Sequence, residues 1–319
     1  KSGGQADFGF FSREALTLFS NLVLLSILMV CFLGIVYPIF SELLTGTQVT
    51  VGPAWYEAIN GPLLILLLGL LGICPLAAWT GSRISKVGKR LWALVPFSVL
   101  FPLLAWVLGE VKEVLLLFVF WLVGFSVLVL IADYGLQAAG LGKKKELNFI
   151  EAIFAPIVKN HQRYGGMLVH LGVILLSLGI IGLEGLQQET QQTLTLGDGA
   201  VLGRYTFTYD GLEQFTGEEG QLITQAVLAV DREGDPIGAL YPSREIYLDL
   251  GMAVTKPALN SNLVRDLYAI LVDSDETSHE QATFRIFINP LVNWLWIGTG
   301  VLTFGMVLAL WPGKRHQSP

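Results

Sequence analysis

The sequence predicts an α-helical integral membrane bundle of about six transmembrane helices with one external β-rich domain. Hydrophobic residues make up 53% of the chain and charged residues only 14%, and the mean hydropathy is +0.59. A soluble domain carries about 25% charged residues. Several apolar stretches reach the roughly 20 residues that a helix needs to cross a bilayer. One long segment instead alternates apolar and polar residues, as half-buried β-strands do.

The apolar stretches define the predicted transmembrane helices. The third and fourth are separated only by the short sequence GEVK, which predicts a tight helical hairpin. Each stretch is long and apolar enough to span the hydrocarbon core. The six spans lie at residues 16–41, 61–80, 91–109, 113–134, 166–186 and 291–311.

The basic residues are unevenly distributed between the two sides that these spans define. Lys and Arg accumulate in short cytoplasmic segments. We therefore predict that both ends of the chain are cytoplasmic and that residues 187–290 lie outside, in the periplasm if the cell has one. Residues 291–319 then form the last helix and a cytoplasmic tail. Of the 20 basic residues, 13 fall on the cytoplasmic side: Lys1, Arg13, Arg83, Lys86, Lys89, Arg90, Lys143, Lys144, Lys145, Lys159, Arg163, Lys314 and Arg315.

Segment 140–160, GLGKKKELNFIEAIFAPIVKN, is amphipathic around a run of three lysines. Basic residues beside apolar ones predict a helix that lies on the anionic inner leaflet. An ordinary positively charged cytoplasmic loop is the alternative.

Residues 187–290 are predicted to form a β domain. The run QTLTLGDGAVLGRYTFTYDGLEQF alternates apolar and polar residues, with GDG and YDG as turn signals. The run QAVLAVDREGDPIGALYP predicts two further strands around a glycine-containing turn, and ATFRIFIN leads directly into the last span. The only histidine of this segment is His279, and no Ser-His-Asp set, cysteine pair or metal-ligand cluster is visible. We therefore expect a docking surface or lid rather than an enzyme domain.

The fifth span contains a histidine, His170, about five residues past its inner edge. Ionisable groups within spans are rare and usually mark a site. Helical spacing places Arg163 and Gly166 on the face of His170, whereas His161 lies about 180° away. A haem suits this arrangement: His170 would ligate the iron, Gly166 would let the ring approach the backbone and Arg163 could reach a propionate.

Two other roles for His170 remain open at this point, a hydrogen bond between helices and a proton relay. No other predicted span contains a histidine, so a second imidazole ligand would come from outside this chain.

The chain begins KSGGQADFGFFSRE, without an initiating Met or a cleavable leader. We expect a downstream piece of a larger protein or one half of a split protein. Cys31 and Cys74 lie in apolar spans and are expected to be inert packing residues. We expect no nucleic-acid partner.

Several blocks of the sequence resemble, in the same order, the C-terminal half of the CcmF-type (CcmF/NrfE family) cytochrome c haem lyases. The similarity covers nearly the whole chain, which makes it more specific than any single motif. The blocks are FFSREALTLFSNLVLL, VYPIFSELLTGTQVTVGPAWYEAINGPLLILLL, RYGGMLVHLGV, YTFTYDGLEQFTG, LYPSREIY, LVRDLYAIL and FRIFINPLVNWLWIGTGVLTFGMVLAL.

This resemblance implies a multi-pass protein of the bacterial inner membrane that acts in cytochrome c biogenesis. The family receives haem from a CcmE-type haem chaperone and works with CcmH/CcmI-type proteins that handle apocytochrome c. It promotes thioether formation between the haem vinyl groups and the cysteines of a Cys-x-x-Cys-His motif. It also carries a transmembrane haem b, held by two histidines and reduced by quinol. The match implies that His170 is one of these axial ligands.

The resemblance also implies what lies elsewhere. The family's tryptophan-rich WWD segment, its external histidines and the other haem b histidine belong upstream of residue 1, so activity would need an N-terminal half. Arg244, Arg265 and Asp266 stand in family-like blocks and are candidate contacts for partners, although Arg265 and Asp266 could instead pair within the domain. The alternatives are a paralogue that serves a nitrite reductase, a non-enzymatic haem-binding or scaffold subunit of an electron-transfer complex, and a transporter.

Overall fold

The structure is a computed structural model. It divides into two compact units, residues 1–177 with 298–319, and residues 178–297. The first unit is helical and the second is largely β structure. His279 lies outside the described residues. The residues that the structure describes are 13–77, 93–109, 111–145, 148, 151, 157, 160–249, 251–275 and 280–312.

Five of the described helices are long and apolar enough to cross a membrane, and they follow the predicted spans in order. Together with the β-rich unit they confirm the predicted fold class. The helices are α1 (Arg13–Thr45), α2 (Pro53–Ala77), α3 (Leu94–Ser98), α4 (Leu100–Leu108), α5 (Val114–Lys145), α6 (His161–Gly185) and α7 (Asn293–Leu310).

The predicted span 91–109 differs, because the structure divides its described part into the short helices α3 and α4. Pro102 accounts for this division, since it has no amide hydrogen to donate to the carbonyl of Ser98. Val99 between α3 and α4 keeps right-handed helical angles, with φ −63° and ψ −20°. Residues 94–108 therefore form one apolar helical stretch, which is shorter than the five long spans. The number of long spans in the described residues is therefore five rather than six.

Helix α5 is longer than the predicted span 113–134 and continues to Lys145. Residues 140–145, which we expected to begin a separate amphipathic segment, are instead its last turns. Most of residues 146–160 lie outside the described residues, so the remainder of that segment stays a prediction.

Large apolar side chains on α1, the longest helix, are exposed. Ile35 is 71% exposed and Leu43 is 78% exposed. Such a surface suits hydrocarbon rather than water.

Helices α6 and α7 are in close contact through glycines. A Cβ atom at Gly172 would lie 2.6 Å from the backbone nitrogen of Leu302, and one at Gly305 would lie 2.7 Å from the backbone nitrogen of Val169. Gly165 faces the backbone of α7 in the same way. Small residues at such positions let two membrane helices approach backbone to backbone. Gly165 and Gly172 therefore serve close packing of α6 against α7.

The β unit is a pair of antiparallel sheets. One has the strand order β1-β10-β9-β8, and the other has the order β2-β3-β4-β6-β7, with β5 also paired to β4. Their shared core contains fully buried aromatic and aliphatic side chains, among them Phe207, Tyr209, Leu228 and Phe284. The strands are β1 (Gln188–Thr195), β2 (Gly199–Leu202), β3 (Tyr205–Thr216), β4 (Leu222–Arg232), β5 (Asp235–Leu240), β6 (Ser243–Tyr247), β7 (Met252–Lys256), β8 (Ala258–Ser261), β9 (Arg265–Ser274) and β10 (Gln281–Pro290).

One predicted turn in this unit is wrong. The sequence YDG, expected to end a strand, lies inside β3, where the pairing with β4 shifts between Tyr209 and Gly211. This irregularity is a β-bulge, and Gly211 takes the positive φ of 152° that it requires. The GDG signal does coincide with the turn between β1 and β2, and Glu233 and Gly234 form the turn between β4 and β5.

Candidate functional site

His170 lies in the middle of α6 with a half-buried side chain. Within the described part of the chain, its imidazole makes no hydrogen bond and no ion pair. Gly165 and Gly172 contact α7, and His170 is about 140–160° around the helix from them at 100° per residue. His170 therefore lies on a face of α6 away from α7, and its ring nitrogens keep their capacity to bind a ligand.

His161 behaves differently on the same helix. Its Nδ1 lies 3.2 Å from the carbonyl oxygen of Leu308 in α7. This contact places His161 on the packed side of α6, so the two histidines have different surroundings. The structure therefore agrees with the prediction that the two histidines lie on opposite faces of the helix.

Gly166 and Arg163 share the face of His170 by helical spacing. Apart from its chain neighbours and the nearby backbone of α6 itself, no heavy atom would lie within 4 Å of a Cβ atom at Gly166. The backbone there is therefore open to close approach. The side chain of Arg163 is 47% exposed, and its Nη2 lies 3.7 Å from Oδ2 of Asp133. An imidazole without a partner among the described residues, an open glycine and a partly exposed arginine side chain could hold a haem by its iron, its ring edge and a propionate.

Asp133 is the residue at this site that the sequence analysis missed. It is 7% exposed and lies on α5, where its Oδ2 accepts a hydrogen bond of 2.9 Å from Nε2 of Gln137. Gln137 Oε1 in turn accepts one of 2.6 Å from the hydroxyl of Tyr164 on α6. An acidic residue near the end of an apolar span, here 113–134, is the signal that could have found it.

The structure does not bring the candidate docking residues to one site. Arg265 is engaged within the β unit: its Nε donates to the Tyr205 hydroxyl at 2.7 Å, its Nη1 donates to Asn260 Oδ1 at 3.3 Å, and its guanidinium lies 4.6 Å from the Tyr205 ring centroid. Among the described residues no ion pair joins Arg265 to Asp266.

Asp266 is also engaged within the β unit. Its Oδ1 accepts hydrogen bonds from Ser261 Oγ at 2.6 Å and from Asn293 Nδ2 at 2.9 Å. Arg244, on β6, is half-buried and makes no hydrogen bond or ion pair within the described residues. Of the three candidates, Arg244 is the one whose charged group makes no hydrogen bond or ion pair in the described part of the domain.

A second charged cluster in the β unit also escaped the sequence analysis. Glu245 is 4% exposed, and its Oε1 lies 2.7 Å from Lys256 Nζ while its Oε2 accepts a hydrogen bond of 3.1 Å from the hydroxyl of Tyr247. The hydrogen bonds to Glu245 raise the pKa of both Tyr247 and Lys256 above their usual values. The cluster compensates a buried carboxylate. The described residues contain no group of three or more His, Cys, Asp or Glu that could hold a metal ion.

The chain is similar in sequence to known proteins. Residues 185–290 match the family described as CcmF C-terminal beta-sandwich. The cytochrome c-type biogenesis protein CcmF of Pseudomonas aeruginosa is 28% identical over 308 residues, which cover 96% of this chain and 45% of that protein. The resemblance to CcmF-type proteins is confirmed.

Other relatives agree with this result. CcmF of Escherichia coli K12 is 27% identical over 96% of this chain and 45% of its own length. The cytochrome c-type biogenesis protein NrfE of Haemophilus influenzae is 25% identical over 97% and 46%. A solved structure of the cytochrome c heme lyase CcmF has the same fold, with a TM-score of 0.70 and 22% identity over 95% of this chain and 46% of that one. The chain thus spans about half the length of the proteins it matches.

Proposed function

We propose that this chain is the C-terminal part of a CcmF-type haem lyase and supplies half of a transmembrane haem b site together with a docking domain for partners. The observation that carries the proposal is the imidazole of His170, which has no partner within the described residues and lies in an apolar helix inside a chain that is CcmF-like along 96% of its length. A polar group in an apolar membrane segment is costly when it has no partner, and a ligand would offset that cost.

Each residue of the site then has a distinct role. His170 would bind the haem iron, and the contacts of α6 with α7 would hold its helix in place. Gly166 would admit the ring edge, and Arg163, oriented by Asp133, would donate hydrogen bonds to a propionate. A bound haem b would supply one-electron transfer, with quinol as the donor. The second axial histidine and the WWD segment would come from the N-terminal half.

The location and the partners belong to the same proposal. The chain would lie in a bacterial inner membrane, with both ends in the cytoplasm and the β unit in the periplasm. There the β unit would meet a CcmE-type haem chaperone, CcmH/CcmI-type proteins and apocytochrome c. Arg244 is the preferred contact, because Arg265 and Asp266 are engaged within the domain.

The test replaces each histidine of α6 in turn, in the full chain co-purified with its N-terminal half. His170→Ala should abolish the six-coordinate low-spin spectrum of haem b, lower the haem measured as pyridine haemochrome, and reduce cytochrome c maturation. His161→Ala is the matched control and should leave the spectrum unchanged, since that residue lies on the opposite face of the helix.

Two results would decide against the proposal in different ways. A six-coordinate low-spin spectrum in His170→Ala would return this residue to helix packing. Loss of haem with undiminished maturation would instead favour the alternative of a haem-binding subunit without a role in the lyase reaction.

A further inference from the structure

The loop between β8 and β9 ends in two exposed apolar side chains. Leu263 is 59% exposed and Val264 is 69% exposed. The loop is tied to the chain that enters α7: Trp294 Nε1 donates to the carbonyl of Leu263 at 3.0 Å, and the amide of Leu291 donates to the carbonyl of Val264 at 2.9 Å. The apolar tip is therefore held beside the first turn of a membrane-spanning helix.

Most backbone polar groups of the tip are hydrogen-bonded within the protein. Besides the two carbonyls above, the carbonyl of Asn262 accepts a bond of 2.7 Å from Asn293 Nδ2. The amides of Val264 and Arg265 both donate to Asn262 Oδ1 at 2.9 Å. Non-helical backbone enters a low-dielectric layer only when its polar groups are satisfied internally. These groups meet that condition, and the amide of Leu263 is left to the water and headgroups of the interfacial layer.

The chemistry around the tip matches the edge of a bilayer. The α7 span begins at Asn293, and Trp294 and Trp296 follow within its first turn, the latter 73% exposed. Tryptophan is enriched where hydrocarbon meets headgroups. Arg265 and Asp266, the charged residues that follow the tip in the sequence, are hydrogen-bonded within the domain.

We propose that Leu263 and Val264 insert into the interfacial layer of the bilayer and form a second membrane anchor of the β unit beside α7. The partner of this surface is lipid, because the hydrogen bonds to residues 291–294 fix the tip at the level where α7 enters the membrane. The proposal does not depend on haem binding or on the orientation of the chain.

The test uses a spin label on single cysteines in the full chain, in lipid nanodiscs, with Cys31 and Cys74 replaced by serine. Val264→Cys should give a label that collides more often with oxygen, which partitions into lipid, than with a water-soluble nickel chelate. Val272→Cys is the matched control: Val272 is 40% exposed on β9, about 26 Å from Val264 at about 3.3 Å per residue. Its label should favour the nickel chelate.

Leu263→Cys places a spin label at the other tip residue. This label should also collide more often with oxygen than with the nickel chelate. Preferential contact with the nickel chelate at both positions would overturn the proposal. Protection from both reagents would also overturn it, because the tip would then be covered by protein rather than lipid.

Discussion

The two histidines of α6 show what the spacing of residues in a helix can and cannot predict. The spacing of His161 and His170 predicts opposite faces of α6, and the structure agrees. The partner of His161, the carbonyl of Leu308, could not be predicted, because it lies 147 positions away in the sequence. Periodicity fixes the direction of a side chain relative to its own helix. It does not identify the neighbouring helix.

The link between Asp133 and Arg163 shows the same limit. The hydrogen bond from Gln137 to Asp133 spans four residues along one helix and was accessible to sequence reasoning. The ion pair with Arg163 joins two helices and was not. The sequence predicts Arg163 only as a side chain that could reach a propionate, whereas the structure adds an acidic partner, Asp133.

Substitutions at Asp133 test whether this carboxylate holds the cluster together. Asp133→Leu removes the acceptor of Gln137 and the partner of Arg163, and we expect it to lower the free energy of unfolding by about 2–3 kcal/mol. Asp133→Asn keeps an oxygen acceptor and should cost about 1 kcal/mol, since the exposed side of Arg163 is still hydrated. Unfolding in detergent micelles measures both values. Equal stabilities of the two variants would show that the hydrogen bond from Gln137 contributes nothing.

At the scale of elements, hydropathy located the membrane helices well but not their ends. Helix α5 continues past residue 134 to Lys145, although DYGLQAAGLGKKK contains three glycines, which are poor helix formers. The run 91–109 is apolar enough, yet its described helical part, residues 94–108, is shorter than the five long spans. Hydropathy reports which solvent suits a segment, whereas helix ends depend on backbone hydrogen bonding.

The YDG signal failed for a related reason. Gly and Asp favour turns because they tolerate unusual φ values, and Gly211 does take one. A bulge requires the same backbone freedom as a turn. Whether the chain reverses there is decided by pairing with β4, which is not local information.

The glycine contacts between α6 and α7 yield a prediction at this scale. Gly172→Ala places a Cβ 2.6 Å from the backbone of Leu302, which cannot move unless the helices separate. We expect a loss of about 1–3 kcal/mol in the free energy of unfolding. Gly300→Ala is the control on α7, because a Cβ there meets nothing within 4 Å. It should leave stability unchanged or raise it by up to about 1 kcal/mol through helix propensity. A Gly172→Ala protein as stable as Gly300→Ala, measured by unfolding in micelles, would mean that the two helices are not tightly packed.

At the scale of the whole molecule, composition and long apolar runs predict a membrane protein, and alternation of apolar and polar residues predicts its β-rich domain. The relation to CcmF-type proteins required several blocks in order, and the family match over residues 185–290 supports it independently. The haem site is the least complete part of the sequence prediction, because only one of its two proposed axial ligands lies in this chain. The other proposed ligand would come from the N-terminal half.

Orientation across the membrane is a property of the whole chain, and α5 offers a direct test. Lys112 precedes this helix and Lys143 lies in its last turn, and both side chains are exposed. Because 13 of the 20 basic residues fall on the predicted cytoplasmic side, Lys143→Cys should react with an impermeant maleimide only from the cytoplasm. Lys112→Cys should react only from the other side, together with Glu218→Cys in the exposed turn between β3 and β4. Glu218 is preferable to Gly220 in this turn, since Gly220 has a φ of 78° that disfavours a side chain. Labelling of Lys143→Cys from outside in intact spheroplasts would invert the topology and place the β unit in the cytoplasm.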